Sequence, residues 1–274
     1  MMIDISDWEM KKFERFPIGA REKAMVWSPE VPTNNLIKPN WPYMFKESIS
    51  RYPDQFWMEI VAFIVSKYLK VSVPPAYPSV RIREDEVKNG ALIEWFYNVS
   101  DKNSESLVHG QDYFIKLNPN FDIKEGSQHN LVDFKLIFST NSDFKISPDE
   151  LNLWLTDMVL FDALIGNTDR HQQNWGILFK SDGTKCLSPL FDNGTSLGHE
   201  LFLQKVKGWN DASITKYLAK GYHHLRYNRV KPQDRILLFE LVRIIAQNSL
   251  SKSIMNDKIN NIKWVEMVAE ISAA

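Results

Sequence analysis

Short apolar runs separated by polar turns make up the first third of the chain. The strand candidates among them are residues 24–27, 43–46, 80–83 and 91–96. Asn89-Gly90 is a strong turn dipeptide and predicts that the last two candidates form a hairpin. Between about residues 55 and 70 the apolar residues recur at helical spacing, which predicts a helix. This part of the chain is therefore predicted to be β-rich with one helix.

A stronger helical pattern starts at Ser147-Pro148-Asp149-Glu150, which combines a capping Ser, Pro at the first helical position and Glu at the third. The apolar spacing carries this helix to about residue 165, and Gly166-Asn167 ends it. Its predicted buried face consists of Leu151, Trp154, Leu155, Met158, Phe161 and Leu164 or Ile165. Asp162 interrupts that face, so we expect it at the rim or hydrogen-bonded.

The rest of the chain is predicted to be mostly helical, with one further hairpin. Its strands are residues 175–179 and 187–191, and two helices, about 233–249 and 259–271, close the chain. Polar residues dominate from 100 to 106, which predicts a lobe boundary. We therefore expect an α+β fold with a small β-rich N-lobe, residues 1–98, and a larger, mainly helical C-lobe, residues 99–274.

Composition and charge exclude several classes of protein. With 274 residues, 44% of them hydrophobic and 24% charged, the chain resembles an ordinary soluble globular protein. Its net charge of -1 provides no global basic field, so we expect neither direct nucleic acid binding nor a membrane partner. The basic stretch 216–231 is predicted to be a solvated face. The N-terminus lacks a secretory pattern and Cys186 is the single cysteine, which predicts a cytoplasmic protein.

Three oxygen-bearing side chains carry the clearest chemical signal. Asp169, Asn174 and Asp192 follow one another at offsets of 5 and 18 residues. Phosphoryl transfer from ATP needs a carboxylate to orient the acceptor hydroxyl and hard oxygen ligands to hold Mg²⁺ against the phosphates. Each residue alone is a common turn residue, but the joint spacing favours Asp169 as the catalytic group and Asn174 and Asp192 as metal ligands.

Other residues fit the remaining parts of an ATP site. Lys46 ends an apolar strand candidate, and Glu59 lies 13 residues further on, on the predicted helix, so we expect the two to pair. His171 is predicted to hydrogen-bond the loop backbone rather than to transfer protons. Arg170 could be salt-bridged, exposed or directed at phosphate, and the sequence does not decide among these. Gly19 suits either a phosphate-binding turn or an ordinary turn.

In this order, the motifs resemble the HipA-like kinases, bacterial Ser/Thr kinases best known as toxins of toxin–antitoxin pairs. The matching segments are Gly19-Ala20 through Lys23 as the phosphate loop, 43–46 as the lysine strand, Glu59-Ile60-Val61-Ala62 as the glutamate helix, 91–96 as the hinge, and 167–174 with Asp192 as the catalytic and metal segments. The resemblance implies a two-lobed, protein-kinase-like fold that binds ATP and Mg²⁺. It also implies that the hinge backbone at Glu94 and Phe96 holds adenine.

The chain departs from this family in its N-terminal region. Only 16 residues precede Pro17, so we expect a minimal kinase core without the family's N-terminal subdomain. Family members often carry an autophosphorylated Ser just before the loop glycine, and Phe16-Pro17-Ile18 stands there instead. The acid of the family's hinge that would hold the ribose is replaced by Tyr97 or Asn98.

The resulting expectation is a Ser/Thr kinase that acts on a protein substrate. The resemblance leaves open a toxin role and a small DNA-binding antitoxin as a partner. A phosphatidylinositol-like or small-molecule kinase is an alternative, because such lipid kinases share an Asp-Arg-His-x-x-Asn loop. A nucleotide-binding pseudokinase that acts as a regulatory partner is a second alternative, although the three chemical positions are intact. The phosphate acceptor is not encoded in any recognisable segment.

Overall fold

A computed structural model describes residues 2–11, 23–84, 86–100, 103–229 and 234–274. The predicted phosphate-loop residues Gly19 and Ala20 lie outside these ranges, whereas Lys23 is the first residue of a strand. No helix within the described ranges is both long and apolar enough to cross a bilayer.

The N-lobe is built on a six-stranded sheet of described residues. Its strands are β1 (Ile3–Asp4), β2 (Glu9–Lys11), β3 (Lys23–Trp27), β4 (Pro42–Glu47), β5 (Ala76–Arg83) and β6 (Glu86–Glu94). The strand order is β1-β5-β6-β4-β3-β2, and only the β1–β5 pair is parallel. Lys23 of β3 lies directly opposite Lys46 of β4, so both lysines project from the same face of the sheet.

The prediction of a turn at Asn89-Gly90 is wrong. Both residues lie inside β6, and the chain turns at Glu84, which has a φ of 47°. Gly90 is needed for close packing instead, because a Cβ there would lie 2.7 Å from the Phe45 ring and 2.8 Å from the Lys46 carbonyl oxygen. The hairpin itself is confirmed, with longer strands than predicted.

One helix, α1 (Phe56–Leu69), packs against this sheet, as the apolar spacing predicts. Ile60, Ile64 and Leu69 are buried along it. Glu59 lies on the same buried side and is 3% exposed, which an acidic side chain tolerates only with partners. A left-handed Lys70 ends the helix.

The C-lobe is mainly helical. Its helices are α2 (Gly110–Leu117), α3 (Leu131–Thr140), α4 (Pro148–Ile165), α5 (Leu203–Val206), α6 (Asp211–Leu218), α7 (Leu238–Ile245), α8 (Ser249–Asn260) and α9 (Trp264–Ala273), with a 3₁₀ turn at Ser142–Phe144. Its strands are β7 (Ser106–His109), β8 (Gly176–Phe179) and β9 (Lys185–Leu187) in one sheet and β10 (Tyr222–Arg226) with β11 (Arg235–Leu237) in another. The α+β class is confirmed, and the lobe boundary between residues 98 and 99 stays a prediction.

Helix α4 has the predicted bounds and the predicted cap. The Ser147 hydroxyl accepts a hydrogen bond from the Glu150 N–H, and the Glu150 carboxylate accepts one from the Ser147 N–H. Gly166 ends the helix with a φ of 64°. Because most of the helix is buried, its end is a fixed point from which the next segment leaves.

The two predicted terminal helices have the wrong bounds. Residues 235–237 pair with β10 as a strand, and the Asn248 side chain caps α8, so α7 is confined to eight residues. The predicted helix 259–271 joins the end of α8 to most of α9. Between them the helical conformation ends at Asn261, and the side chain of Ile262 is buried in the core.

We predict that Ser147→Ala lowers the free energy of unfolding by about 1 kcal/mol, because it leaves N–H groups of the first turn of α4 without their cap. Urea unfolding followed by circular dichroism measures the change. Ser142→Ala, at an exposed position where the hydroxyl forms no hydrogen bond to another described residue, is the matched control and should change stability by less than about 0.5 kcal/mol. Equal effects of the two substitutions would contradict the capping role.

Candidate active site

The loop that follows α4 is held by a fully buried ion pair. Asp162 on α4 accepts hydrogen bonds from Arg170 Nε at 3.1 Å and from Arg170 Nη2 at 2.8 Å, and neither side chain is exposed. His223 donates from Nε2 to the same carboxylate at 3.1 Å. Burial would raise the pKa of Asp162, but the Arg170 guanidinium and His223 hold it below the ordinary value. Asp162 is therefore hydrogen-bonded, as predicted, but in the interior rather than at the rim.

Arg170 also joins the loop to the segment that carries Asp192. Its Nη1 donates to the carbonyl of Phe191, and its Nη2 donates to Asn193 Oδ1 at 2.6 Å. Of the three possibilities that the sequence left open for Arg170, the structure shows the salt-bridged one. Every described contact of Arg170 is internal, and its buried side chain is inaccessible to a phosphate. Arg170 fixes the two segments of the site relative to each other.

Asp169 lies next to Arg170 along the chain but, unlike Arg170, is partly exposed. Its N–H donates to Asn167 Oδ1 at 3.0 Å, which holds the turn, and its carboxylate is half-buried. Burial raises the pKa of Asp169; the charge of His171 opposes that shift, and nearby Asp192 adds to it. Asp169 and Asp192 are thus near enough for their charges to repel each other, and their roles in catalysis and metal binding stay predictions.

The amide of Asn174 is oriented by the loop itself. Its Nδ2 donates to the Asp169 carbonyl at 2.8 Å. Because a carbonyl can only accept, the Asn174 Oδ1 must be the atom that is directed away from this contact. Among the described residues no donor reaches that oxygen, so it can serve as a hard ligand for a cation.

Lys46 connects the two lobes across the site. Its Nζ lies 2.6 Å from Glu59 Oε1 and also contacts Asp192 Oδ1. Lys46 and Glu59 are both 3% exposed, whereas the Asp192 side chain is 34% exposed. The predicted Lys46–Glu59 pairing is confirmed, and the third member of the cluster links it to the C-lobe.

The backbone around Asp192 is held in an unusual conformation. Asp192 has a φ of 59°, the left-handed region that non-glycine residues rarely adopt. The next N–H, that of Asn193, donates to Glu59 Oε2 at 2.9 Å. Glu59 therefore binds Lys46 with one oxygen and the Asp192 segment with the other. Strained backbone that is held by its surroundings in this way is typical of functional sites.

The predicted hinge provides backbone groups at the end of β6. The Glu94 N–H donates a hydrogen bond to the Pro75 carbonyl at 2.8 Å. Because proline has no N–H, Pro75 cannot donate back to the Glu94 carbonyl, as the partner residue in an antiparallel pair normally does. No described acceptor takes the Phe96 N–H. The Phe96 ring stacks on Phe191 at 5.3 Å, which brings the hinge next to the residue before Asp192. The Glu94 carboxylate is paired with Lys38 at 2.7 Å.

His171 has the structural role that the sequence predicts. Its Nδ1 accepts a hydrogen bond from the Gln173 N–H at 3.1 Å. Burial lowers the pKa of His171, while the charges of Asp169 and Asp192 oppose that shift.

The described part of the basic stretch 216–231 is only partly the solvated face that we predicted. Lys216 and Lys220 are exposed, but His223 and Arg226 are buried, and Arg226 donates to two backbone carbonyls. The prediction is wrong for these two residues because residues 222–226 form strand β10, and His223 of this strand hydrogen-bonds Asp162 in the interior.

Several contacts of the site carry no sequence signal that we recognised. Gln55 Nε2 donates to the Gly194 carbonyl at 3.0 Å, and Asn193 Nδ2 donates to the Leu190 carbonyl at 2.9 Å. Thr195 Oγ1 lies 3.5 Å from Asp169 Oδ2. Asn193 and Thr195 closely follow Asp192 along the chain, which was the one available hint, but side-chain direction in an irregular segment does not follow from residue type.

A family model described as HipA-like C-terminal domain matches residues 17–247. Among curated proteins, the Ser/Thr protein kinase CtkA of Helicobacter pylori is 36% identical over 87 residues, which are 30% of this chain and 26% of CtkA. Y4dM of Sinorhizobium fredii is 26% identical over 168 residues, 55% of this chain and 36% of Y4dM. The matches thus span well under half the length of these relatives.

The fold has a clear likeness among solved structures. The crystal structure of the Helicobacter pylori proinflammatory kinase CtkA superposes with a TM-score of 0.73 and 19% identity, covering 97% of this chain and 85% of that one. At this identity the likeness concerns the fold alone. It confirms the two-lobed, kinase-like architecture that the motifs imply.

We predict that stability falls as the pH is lowered, because burial lowers the pKa of His224 to about 3. Between the unfolded pKa near 6.5 and this value, the unfolded chain binds a proton that the folded chain does not, so the folded state is favoured less as the pH falls. Urea unfolding between pH 6.5 and pH 4 should show His224→Gln to be less pH-dependent than the parent, by about 1.4 kcal/mol per pH unit. An unchanged slope would show that His224 titrates normally in the folded protein.

Proposed function

The chain belongs to the HipA-like C-terminal domain family, and from this membership and the site geometry we propose that it is an ATP- and Mg²⁺-dependent kinase that phosphorylates a Ser/Thr hydroxyl of a protein. The observation that carries the proposal is the cluster in which Lys46 binds both Glu59 and Asp192. A buried lysine between a helical glutamate and a loop aspartate is the arrangement that protein kinases use to position ATP phosphates and their metal ion.

The oxygen atoms available at the cleft fit a Mg²⁺ ion. Asn174 contributes an amide oxygen that has no described donor, and Asp192 contributes a partly exposed carboxylate. Mg²⁺ is commonly held by one or two such side chains together with substrate phosphates. When bound, the ion would neutralise charge that develops on the phosphates during transfer. Asp169 is proposed to orient the acceptor hydroxyl and take its proton.

The N-lobe offers matching groups for the nucleotide. Lys23 and Lys46 lie directly opposite each other on neighbouring strands, so their side chains project from the same face of the sheet. We propose that both lysines face the phosphates and that the Glu94 carbonyl and the Phe96 N–H bind the adenine edge. Gly19 and Ala20 remain proposed phosphate-loop residues on the basis of the resemblance, since they lie outside the described ranges.

The acceptor class is proposed from the kinase relatives, one of which is named a Ser/Thr protein kinase. A lipid or small-molecule kinase would use the same Asp169, Asn174 and Asp192. Parallel incubation with a mixed Ser/Thr/Tyr peptide library and with phosphatidylinositol vesicles separates the two, because the labelled phosphate appears on one substrate class. The toxin role, the DNA-binding antitoxin and the cytoplasmic location stay predictions, since no contact within the site bears on them.

The proposal predicts that purified protein transfers or hydrolyses the γ-phosphate of labelled ATP in the presence of Mg²⁺. Asp169→Ala and Asp192→Asn should each lower the rate at least about 100-fold, because the first removes the proton acceptor and the second a metal ligand. ATP-dependent thermal stabilisation should survive better in Asp169→Ala than in Asp192→Asn.

Asp182→Asn is the matched control, since Asp182 is an exposed aspartate in the turn between β8 and β9 and lies outside the cleft. It should leave both ATP turnover and ATP binding unchanged. Wild-type protein that is stabilised by ATP but never turns it over would identify a pseudokinase. Absence of any stabilisation by ATP would refute every nucleotide-based proposal for this site.

A further inference from the structure

Thr195 is the side-chain hydroxyl that the structure places beside the proposed catalytic carboxylate. Its Oγ1 lies 3.5 Å from Asp169 Oδ2, and the residue is partly exposed. Resting on the proposed kinase function, we propose that Thr195 is a phosphorylation site that the protein modifies in cis, and that the product is inactive.

The neighbouring hydroxyl is not equivalent. Ser196 is 1% exposed, and its Oγ donates to the Asn193 carbonyl at 2.6 Å. The Ser196 hydroxyl is therefore directed into the interior, whereas the Thr195 hydroxyl is directed toward Asp169. An acceptor hydroxyl must lie within reach of the general base, and in ligand-free geometry such contacts are often longer than in the reacting complex.

The backbone on both sides of Thr195 is fixed. The Gly194 carbonyl accepts from Gln55 Nε2 at 3.0 Å, and the Leu197 N–H donates to the Ile165 carbonyl at 2.7 Å. Because these anchors come from α1 and α4, Thr195 keeps its place beside Asp169 without help from a bound substrate. Such preorganisation favours an intramolecular reaction over capture of a separate acceptor.

Position along the chain brings the same hydroxyl near the phosphates. Thr195 follows the proposed metal ligand Asp192 by three residues, so even a fully extended chain would keep the two residues within about 10 Å of each other. Thr195 Oγ1 would bond to the γ-phosphorus while the bond from that phosphorus to the bridging oxygen breaks. ADP leaves with the electron pair, and the hydroxyl proton passes to Asp169 and then to solvent.

Phosphate on Thr195 would stop further turnover. It adds a charge of about -1.5 to -2 beside Asp169 and Asp192, whose mutual repulsion already contributes to the raised pKa of Asp169. It would also cover the carboxylate oxygen that an external hydroxyl needs. Self-inhibition would thus use the segment that follows Asp192.

The experiment incubates the full chain with Mg²⁺ and ATP and maps phosphate by peptide mass spectrometry while ATP turnover is followed. We expect phosphothreonine at 195, turnover that falls in proportion to its occupancy, and about the same rate constant after roughly tenfold dilution, as an intramolecular step requires. Thr195→Ser should be phosphorylated at this position and Thr195→Val should not. A mass-tagged Asp169→Ala chain mixed with wild type should stay unmodified at Thr195.

Thr184 is the internal control, because its hydroxyl also pairs with a carboxylate, that of Asp182 at 2.6 Å, in an exposed turn away from the cleft. It should carry no phosphate. ATP turnover or peptide labelling without phosphate on Thr195 would overturn this inference and leave the kinase function standing. Labelling of Thr195 in the tagged Asp169→Ala chain would overturn the cis reaction. Lack of ATP binding and turnover would instead refute the proposed function itself.

A positioning role for Thr195 gives a different pattern. In that case Thr195→Val would lose turnover, Thr195→Ser would restore it, and neither the wild type nor the Ser variant would carry phosphate at 195. This pattern would overturn the inference, because the hydroxyl would then serve Asp169 by hydrogen bonding alone.

Discussion

The buried ion pair between Asp162 and Arg170 is the constraint on which the site depends. Removing one partner of such a pair typically costs about 3–5 kcal/mol, because the remaining charge cannot reach water. Arg170 also donates hydrogen bonds to the Phe191 carbonyl and to Asn193, the residues on either side of Asp192. The same ion pair that anchors the loop therefore also sets the position of Asp192. The distance between Asp169 and Asp192 is thereby fixed through a side chain that touches neither a substrate nor a metal.

Lys46 links the two lobes in a similar way, through ion pairs with one carboxylate from each. Its two carboxylate partners, Glu59 and Asp192, belong to different lobes, and Glu59 also accepts the Asn193 N–H. In the proposed kinase, a phosphate bound at Lys46 would therefore compete with Asp192, and a cation bound at Asp192 would release Lys46 for the phosphate. Binding of metal and nucleotide would be mutually favourable for this electrostatic reason, with no change of fold required.

The sequence predicted those parts of the molecule in which local chemistry and periodicity agree. The capping box and the apolar spacing of α4 predicted its bounds. Lys46 and Glu59 each lie on an apolar element, where a buried charge needs a partner of opposite charge, and this predicted their pairing. Asn89-Gly90 misled because glycine serves both turns and close packing, and only the tertiary contact with Phe45 separates the two. The basic stretch misled because His223 pairs with an aspartate 61 residues away, a partner that no local pattern reveals.

The position of Glu59 also depends on the end of the chain. Lys258 of α8 donates to the Lys70 carbonyl at the C-terminus of α1 at 2.8 Å and pairs with Asp157 of α4, also at 2.8 Å. Glu270 of α9 contacts Lys67 and accepts from the Tyr68 hydroxyl. Helix α1 is thus held at one end by Lys46 and Asp192 and at the other by α8 and α9. A displacement of these terminal helices would be transmitted along a rigid helix to the lysine–glutamate pair, so the geometry of the cleft is a property of both lobes together.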